Sequence, residues 1–160
     1  MKPDKQIYLK LLGFGLIFLT VMLTAACGAK SIRGESPMVR MNELYHQDNT
    51  ITVKLSMRNI NEESLDIQSI DFSLKVDETE LFTYQGPADT NITANGTETW
   101  SVEIEESQSS RELLETLENG DVKSLPYSLS GSVNSMEDGD LHFEHEGHLY
   151  PLPGRPGHFR

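Results

Sequence analysis

From residue 38 onward, apolar and polar side chains alternate with a period of two. This pattern restricts the chain to half-buried strands with one face turned to a core. Ile51, Val53, Leu55 and Met57 alternate with Thr52, Lys54, Ser56 and Arg58. Ile70, Phe72, Leu74 and Val76 alternate with Asp71, Ser73 and Lys75, and Trp100, Val102 and Ile104 with Ser101, Glu103 and Glu105. Tyr127, Leu129, Gly131 and Val133 do the same against Ser128, Ser130 and Ser132, and Leu141, Phe143 and His145 end the series. Shorter strands are predicted at residues 41–45 and 80–84, which makes about seven.

Turn-forming residues separate these runs: HQDN at 46–49, NEES at 61–64, DET at 77–79, NG at 95–96 and EDGD at 137–140. One segment departs from the pattern. In SSRELLETL, residues 109–117, Leu113, Leu114 and Leu117 follow helical spacing after a Ser109–Glu112 capping box, and Asn119-Gly120 supplies a stop. The spacing predicts a short helix closing one end of the domain. An all-β fold follows: an antiparallel two-sheet sandwich of about seven strands with one short helix.

The N-terminal stretch has a different character. Lys2, Lys5 and Lys10 stand against Asp4, and residues 11–23, LLGFGLIFLTVML, carry no charge. A basic segment followed by a short apolar one is the pattern of a signal peptide, whereas a membrane span needs about 20 apolar residues. The only cysteine, Cys27, follows directly. A lone thiol closes no intramolecular disulfide and makes no cysteine-rich metal site. Thr24-Ala25-Ala26-Cys27 resembles a bacterial lipobox, with Thr24 in the place usually held by leucine and Leu23 one position earlier. The resemblance implies removal of residues 1–26 and acylation of Cys27, with several acyl chains holding the protein to a bilayer. Gly28 after the cysteine implies sorting to the periplasmic face of the outer membrane in a Gram-negative cell. The alternatives are ordinary cleavage after Ala25 or Ala26, leaving a free thiol, and an uncleaved anchor helix. Residues 27–37 read as the lipidated cysteine and a flexible tether.

The charge balance excludes some partners. The chain has a formal net charge of −12, and without residues 1–26 it keeps 10 Lys and Arg against 24 Asp and Glu, a net charge of −14. No cluster of Lys and Arg stands out in the sequence, so repulsion from nucleic acid and from anionic lipid headgroups is expected, and no nucleic-acid partner.

The ordered segments VKLSMRNIN, SLDIQSIDFSLKVDETEL, ITANGTETWSVEI, the leucine-bearing helix, LPYSLSGSV and LHFEHEGHLYPLPG resemble the type 2 late embryogenesis abundant (LEA) proteins, which share the water-stress-and-hypersensitive-response (WHy) domain. The resemblance runs from about Met41 to Pro153, within a domain placed at residues 38–153. The family's Asn-Pro-Asn is matched at Asn59 and Asn61, with Ile60 replacing the proline and a looser turn expected. Its Tyr-x-Leu-x-Gly is matched at Tyr127, Leu129 and Gly131, and an apolar, Ala and Gly pattern at Ile92, Ala94 and Gly96. The resemblance implies a fibronectin-type-III-like sandwich, a role in desiccation or other dehydration stress, and no catalytic residues.

Other chemistry is sparse. His142, Glu144, Glu146 and His148 share one face of a strand with His145 on the other, and His142 and His148 lie about 20 Å apart along it, too far to share one ion. A solvated face is expected, with no metal and no cofactor. There is no Gly-x-Ser-x-Gly elbow and no P-loop lysine, so neither an enzyme nor a small-molecule substrate is expected. Trp100 reads as a core anchor, and Asn59 and Asn61 as turn formers. Residues 154–160, a C-terminal extension, either pack over a sheet edge or dock a partner. Two functions fit: a membrane-tethered protectant acting on client or envelope proteins, and an envelope adaptor that binds one protein through a sheet edge or the C-terminal segment.

Overall fold

A computed structural model describes residues 33–160; the expected leader, Cys27 and the first part of the expected tether lie outside the described residues. The chain forms two four-stranded antiparallel sheets. Strands β1 (Met38–Gln47), β2 (Thr50–Arg58), β5 (Thr97–Glu105) and β8 (His158–Phe159) make the first, in the order β5-β2-β1-β8. Strands β3 (Leu65–Val76), β4 (Thr79–Ile92), β6 (Leu125–Ser135) and β7 (Gly139–Leu149) make the second, in the order β4-β3-β6-β7. Among the described residues one helix, α1 (Gln108–Glu118), joins β5 to β6.

The two apolar faces meet in one core. Leu44, Ile51, Val53, Leu55 and Met57 from the first sheet, and Phe72, Leu74, Val76, Leu129 and Val133 from the second, are fully buried. Phe72 anchors the second sheet, edge-on to Phe82 with ring centroids 5.8 Å apart and tilted against Tyr84 at 5.5 Å. Trp100 is only half-buried and packs against this core rather than within it.

Two hairpins show how turn residues set the register. Asp48 and Asn49 both adopt positive φ, 50° and 66°, as a tight turn matched to strand twist requires, and they pair Gln47 with Thr50. Asp77, with φ 56°, marks the return from β3 to β4.

Bulges separate the observed strands from a simple alternation. In β1 the register against β2 slips between Met41 and Glu43, leaving Asn42 extra. Val39, Met41 and Leu44 therefore all point inward, and the strand extends well past the expected residues 41–45 at both ends. In β4 the register against β3 skips Leu81, so Leu81 and Phe82 are both buried. The distortion also frees the Leu81 carbonyl to accept from Ser110 Oγ at 3.0 Å, which fastens α1 to the second sheet.

The start of α1 corrects the expected capping box. Ser107, not Ser109, is the N-cap: its backbone is extended, and its Oγ accepts from Ser110 N at 3.1 Å. Ser109 is already helical, so its hydroxyl cannot reach back over the first turn, and Glu112 instead accepts from Gln108 Nε2 at 2.9 Å. Leu114 and Leu117 are fully buried, and Gly120, with φ 78°, follows Asn119 at the stop.

The segment 154–160 is part of the first sheet. Leu44 and Tyr45 of β1 pair with Phe159 and His158, and Tyr150 and Arg160 exchange both backbone hydrogen bonds at 2.9 Å. Phe159 is fully buried. Removing residues 154–160 is therefore expected to destabilise the protein by about 3 kcal/mol, the scale of emptying a buried phenylalanine site, read as a lower melting temperature. An unchanged melting temperature would mean that these residues are dispensable to the sandwich.

Candidate functional site

The outward face of the second sheet is a continuous polar surface set by strand register. Across β4, β3, β6 and β7, Thr83, Ser73, Ser130 and Glu144 stand in one row, and Gln85, Asp71, Ser132 and His142 in the next. Glu80, Lys75, Ser128 and Glu146 flank them on one side, and Pro87, Ser69, Asn134 and Asp140 on the other. The outward side chains of these rows include no Phe, Tyr or Trp and, His142 aside, a single cation, Lys75. They enclose a shallow depression of about 850 Å³ with short hydroxyls at its floor and carboxylates around it.

Hydroxyls and carboxylates at this spacing bind water well and bury little apolar area. Few bonds link them to one another: Ser73 Oγ and Ser130 Oγ are 3.5 Å apart, Thr83 Oγ1 donates to Glu80 Oε1 at 3.3 Å, and Asn134 Nδ2 donates to Asp140 Oδ1 at 2.7 Å. Ser132 stands between Asp71 and His142, whereas a nucleophilic relay needs the histidine in the middle. His142, Glu144, Glu146 and His148 share this exposed face, and His145 points the other way, half-buried. Among the described residues, no group of three or more His, Cys, Asp or Glu is placed to hold a metal ion.

His145 and Tyr127 meet edge-on behind the face, with ring centroids 6.0 Å apart. Burial pushes the Tyr127 phenol above its ordinary value and the His145 imidazole below its own, and the Arg40 charge adds to the lowering at His145. Tyr127 lies over Gly147, its partner on β7; a Cβ there would meet the ring at 2.7 Å. Gly131 likewise faces Phe72 across β3 and β6. Gly147 makes room for the Tyr127 ring and Gly131 for the close approach of the β3 backbone at Asp71 and Phe72, which accounts for Tyr127 and Gly131 in the sequence pattern.

Asn59 and Asn61 make a buried polar knot. Asn59 is fully buried; its Nδ2 donates to the carbonyls of Glu63, Ile92 and Thr93 at 2.8, 3.1 and 3.2 Å. Its Oδ1 accepts from Asn61 N at 2.9 Å, which is an Asx turn, and from Asn61 Nδ2 at 3.0 Å. Asn61 in turn exchanges two hydrogen bonds with the Glu35 backbone, both at 2.9 Å. The knot ties the β2–β3 loop, the β4–β5 turn and the residues entering β1 into one end of the sandwich.

The opposite end carries charged groups that sequence spacing does not connect. His46 Nδ1 and Glu106 Oε1 are 3.0 Å apart, Arg111 Nε donates to Glu106 Oε2 at 2.9 Å, and Gly157 N donates to Glu118 Oε1 at 2.9 Å. His46 Nε2 lies 3.4 Å from Glu118 Oε2 but outside hydrogen-bond geometry, so the contact is electrostatic only. Nearby, Glu43 accepts from Lys54 Nζ at 2.7 Å and contacts His158 Nδ1 at 2.9 Å and Arg155 at 3.2 Å. The hydrogen bonds from Lys54 and then His158 hold the Glu43 carboxyl below its usual range. These groups clasp β8 and α1 to β1. No sequence signal marks them as a set, because up to 115 residues separate the partners.

The fold and this surface define a small antiparallel sandwich with a polar, acidic outer face. Its fold is that of AT1g01470 from Arabidopsis thaliana, known from a solution structure: the TM-score is 0.55 at 13% identity, over 82% of this chain and 91% of that one. A candidate late embryogenesis abundant (LEA) protein, At2g46140.1, is also similar, with a TM-score of 0.45 at 15% identity over 92% of this chain and 84% of that one. A protein from Archaeoglobus fulgidus gives 0.44 at 12% identity over 71% and 95%. No family model and no curated protein matches the sequence.

Proposed function

We propose that this chain is a lipid-tethered, non-enzymatic protein of the bacterial envelope, similar in role to the type 2 LEA proteins, that protects envelope components during dehydration. The observation that carries the reading is the outward face of the second sheet. Its hydroxyl and carboxylate rows hold water close and offer nothing on which an unfolded client could collapse. Hydration of such groups is strongly favourable, and the net negative charge keeps copies of the protein and acidic clients apart as water is withdrawn. The resemblance of the Asn59–Asn61 and Tyr127–Gly131 segments to the LEA type 2 pattern supports the same reading, as does the lipobox-like Thr24 to Cys27. The tether would place that surface at the membrane without a transmembrane helix; among the described residues, no helix is long and apolar enough to cross one.

The adaptor reading draws less support, because residues 158–159 are already committed to pairing with β1. A direct test dries unrelated client enzymes with and without the protein and measures activity after rehydration. Broad recovery without a stable complex is the expected result. Recovery no better than with an equal mass of an inert acidic protein would overturn the protective reading, and a single stoichiometric partner crosslinked in envelope extracts would favour the adaptor.

A further inference from the structure

We propose that Arg40 and Arg58 form a site for the phosphate of a phospholipid headgroup, at the end of the sandwich nearest the chain's own anchor. The assignment of a membrane as the source of the phosphate rests on the tether reading above. In sequence the two arginines are 18 positions apart and nothing marks them as a pair. The register joins them: Arg40 pairs with Ser56 and Met38 with Arg58, so the arginines stand one step apart on adjacent strands. With Met38, Ser56 and Thr97 they line a depression of about 180 Å³.

Neither arginine is neutralised. Among the described residues, every ion pair that reaches 4.0 Å uses another cation: Arg33 with Glu63 and Glu137, Lys54 with Glu43, Arg111 with Glu106, Arg155 with Glu43, and the two histidines His46 and His158. Lys75, Lys123 and Arg160 make no such pair either, but Arg40 and Arg58 are the two that strand register brings together. A guanidinium fork fits phosphate oxygens two at a time, and the Thr97 hydroxyl adds a neutral donor, whereas Ser56 Oγ already donates to Asn42 Oδ1 at 3.1 Å. Met38, 42% exposed, gives the rim an apolar side chain of the kind that enters the headgroup boundary.

Position supports the same occupant. Glu35 is fixed to Asn61 beside the end of β2, so the chain enters the domain at the end that carries Arg58. Arg33 lies six positions after Cys27, a link that spans at most about 20 Å. A domain anchored at Cys27 would therefore keep this end close to headgroups, where a weak phosphate site acts at high local concentration. Overall charge repels the rest of the domain from an anionic surface, so the arginine pair would also orient it, with the hydrated face of the second sheet left free.

Residues 32–160 form one compact unit holding both sheets and the core, so residues 28–160 can be tested without the leader. The experiment is an NMR titration of that isotope-labelled chain with dihexanoyl phosphatidylglycerol below its micelle concentration, alongside inorganic phosphate. Saturable shifts at the amides of Ser56, Arg58 and Thr97 are expected, with at least tenfold weaker binding in R40Q/R58Q and in each single variant a smaller loss. Absence of shifts at these residues, or equal binding by the folded double variant, would overturn the site. Equal affinity for inorganic phosphate would make it a free-anion site and overturn the headgroup assignment. Palmitate labelling of the full chain and of Cys27→Ala tests the tether separately: an unlabelled full chain with an intact lipid titration would defeat the tether and leave the arginine site standing.

Discussion

Asn59→Ala is expected to destabilise the sandwich by about 4 kcal/mol, a fall in melting temperature on the order of 10–15 °C for a domain of this size. The magnitude follows from what the substitution leaves behind. The buried carbonyl of Ile92 and the partly buried carbonyls of Glu63 and Thr93 lose their side-chain donor, and the amide groups of Asn61 lose an acceptor. An unsatisfied buried polar group costs about 1–3 kcal/mol, and the knot is too deep for water to replace the amide without rearrangement. Asn61→Ala should cost less, because apart from Asn59 Oδ1 its side-chain partners are the backbone groups of Glu35, an exposed residue. Asn134→Ala, on the outward face of the second sheet, should change stability by no more than about 0.5 kcal/mol. Thermal melts of the three variants check the order. If Asn59→Ala melted with Asn134→Ala, the buried knot would not be a determinant of the fold.

The second large effect is steric. A Cβ added at Gly131 would sit 2.7 Å from both Cα and Cβ of Phe72 and closer still to the Asp71 carbonyl oxygen. These are mainly backbone atoms in the middle of the β3–β6 pairing, so they cannot move aside as the tip of a long side chain can. Overpacking in a close-packed interior typically costs about 1–3 kcal/mol, and backbone obstruction places Gly131→Ala at or above about 3 kcal/mol. Gly131→Val should leave no cooperative transition, since a domain of this kind has only about 5–15 kcal/mol in total. Ser130→Ala, one residue away on the outward face, is the matched control and should melt with the wild type. A folded Gly131→Val with native melting would show that β3 and β6 do not approach as closely as described.

How much of this was legible in the sequence depends on the range of each interaction. The main strands were readable because an alternation of period two records burial directly. The β1 bulge at Asn42 was not, since it moves Leu44 inward by a three-residue step that interrupts that record. The helix was visible from its leucines, but its cap was misplaced by two residues because three serines at 107, 109 and 110 offer equivalent hydroxyls. Strand β8 could not be read from a two-residue run among prolines and glycines; pairing with β1 creates it. Asn59 and Asn61 were recognisable as turn residues, while their burial and the carbonyls they bridge depend on loops 33 and 34 positions away. The arginine pair and the His46–Glu106 contact arise only from register and packing.

The measurement that reaches the central claim most directly is survival after drying and rehydration. Three strains are compared: wild type, a deletion of this protein, and a strain carrying Cys27→Ala at normal protein level. Faster death of the deletion strain, not restored by Cys27→Ala, is the predicted result and would tie protection to the tether. Equal survival of all three would contradict protective function, and the acidic face would then have to be explained by a specific partner.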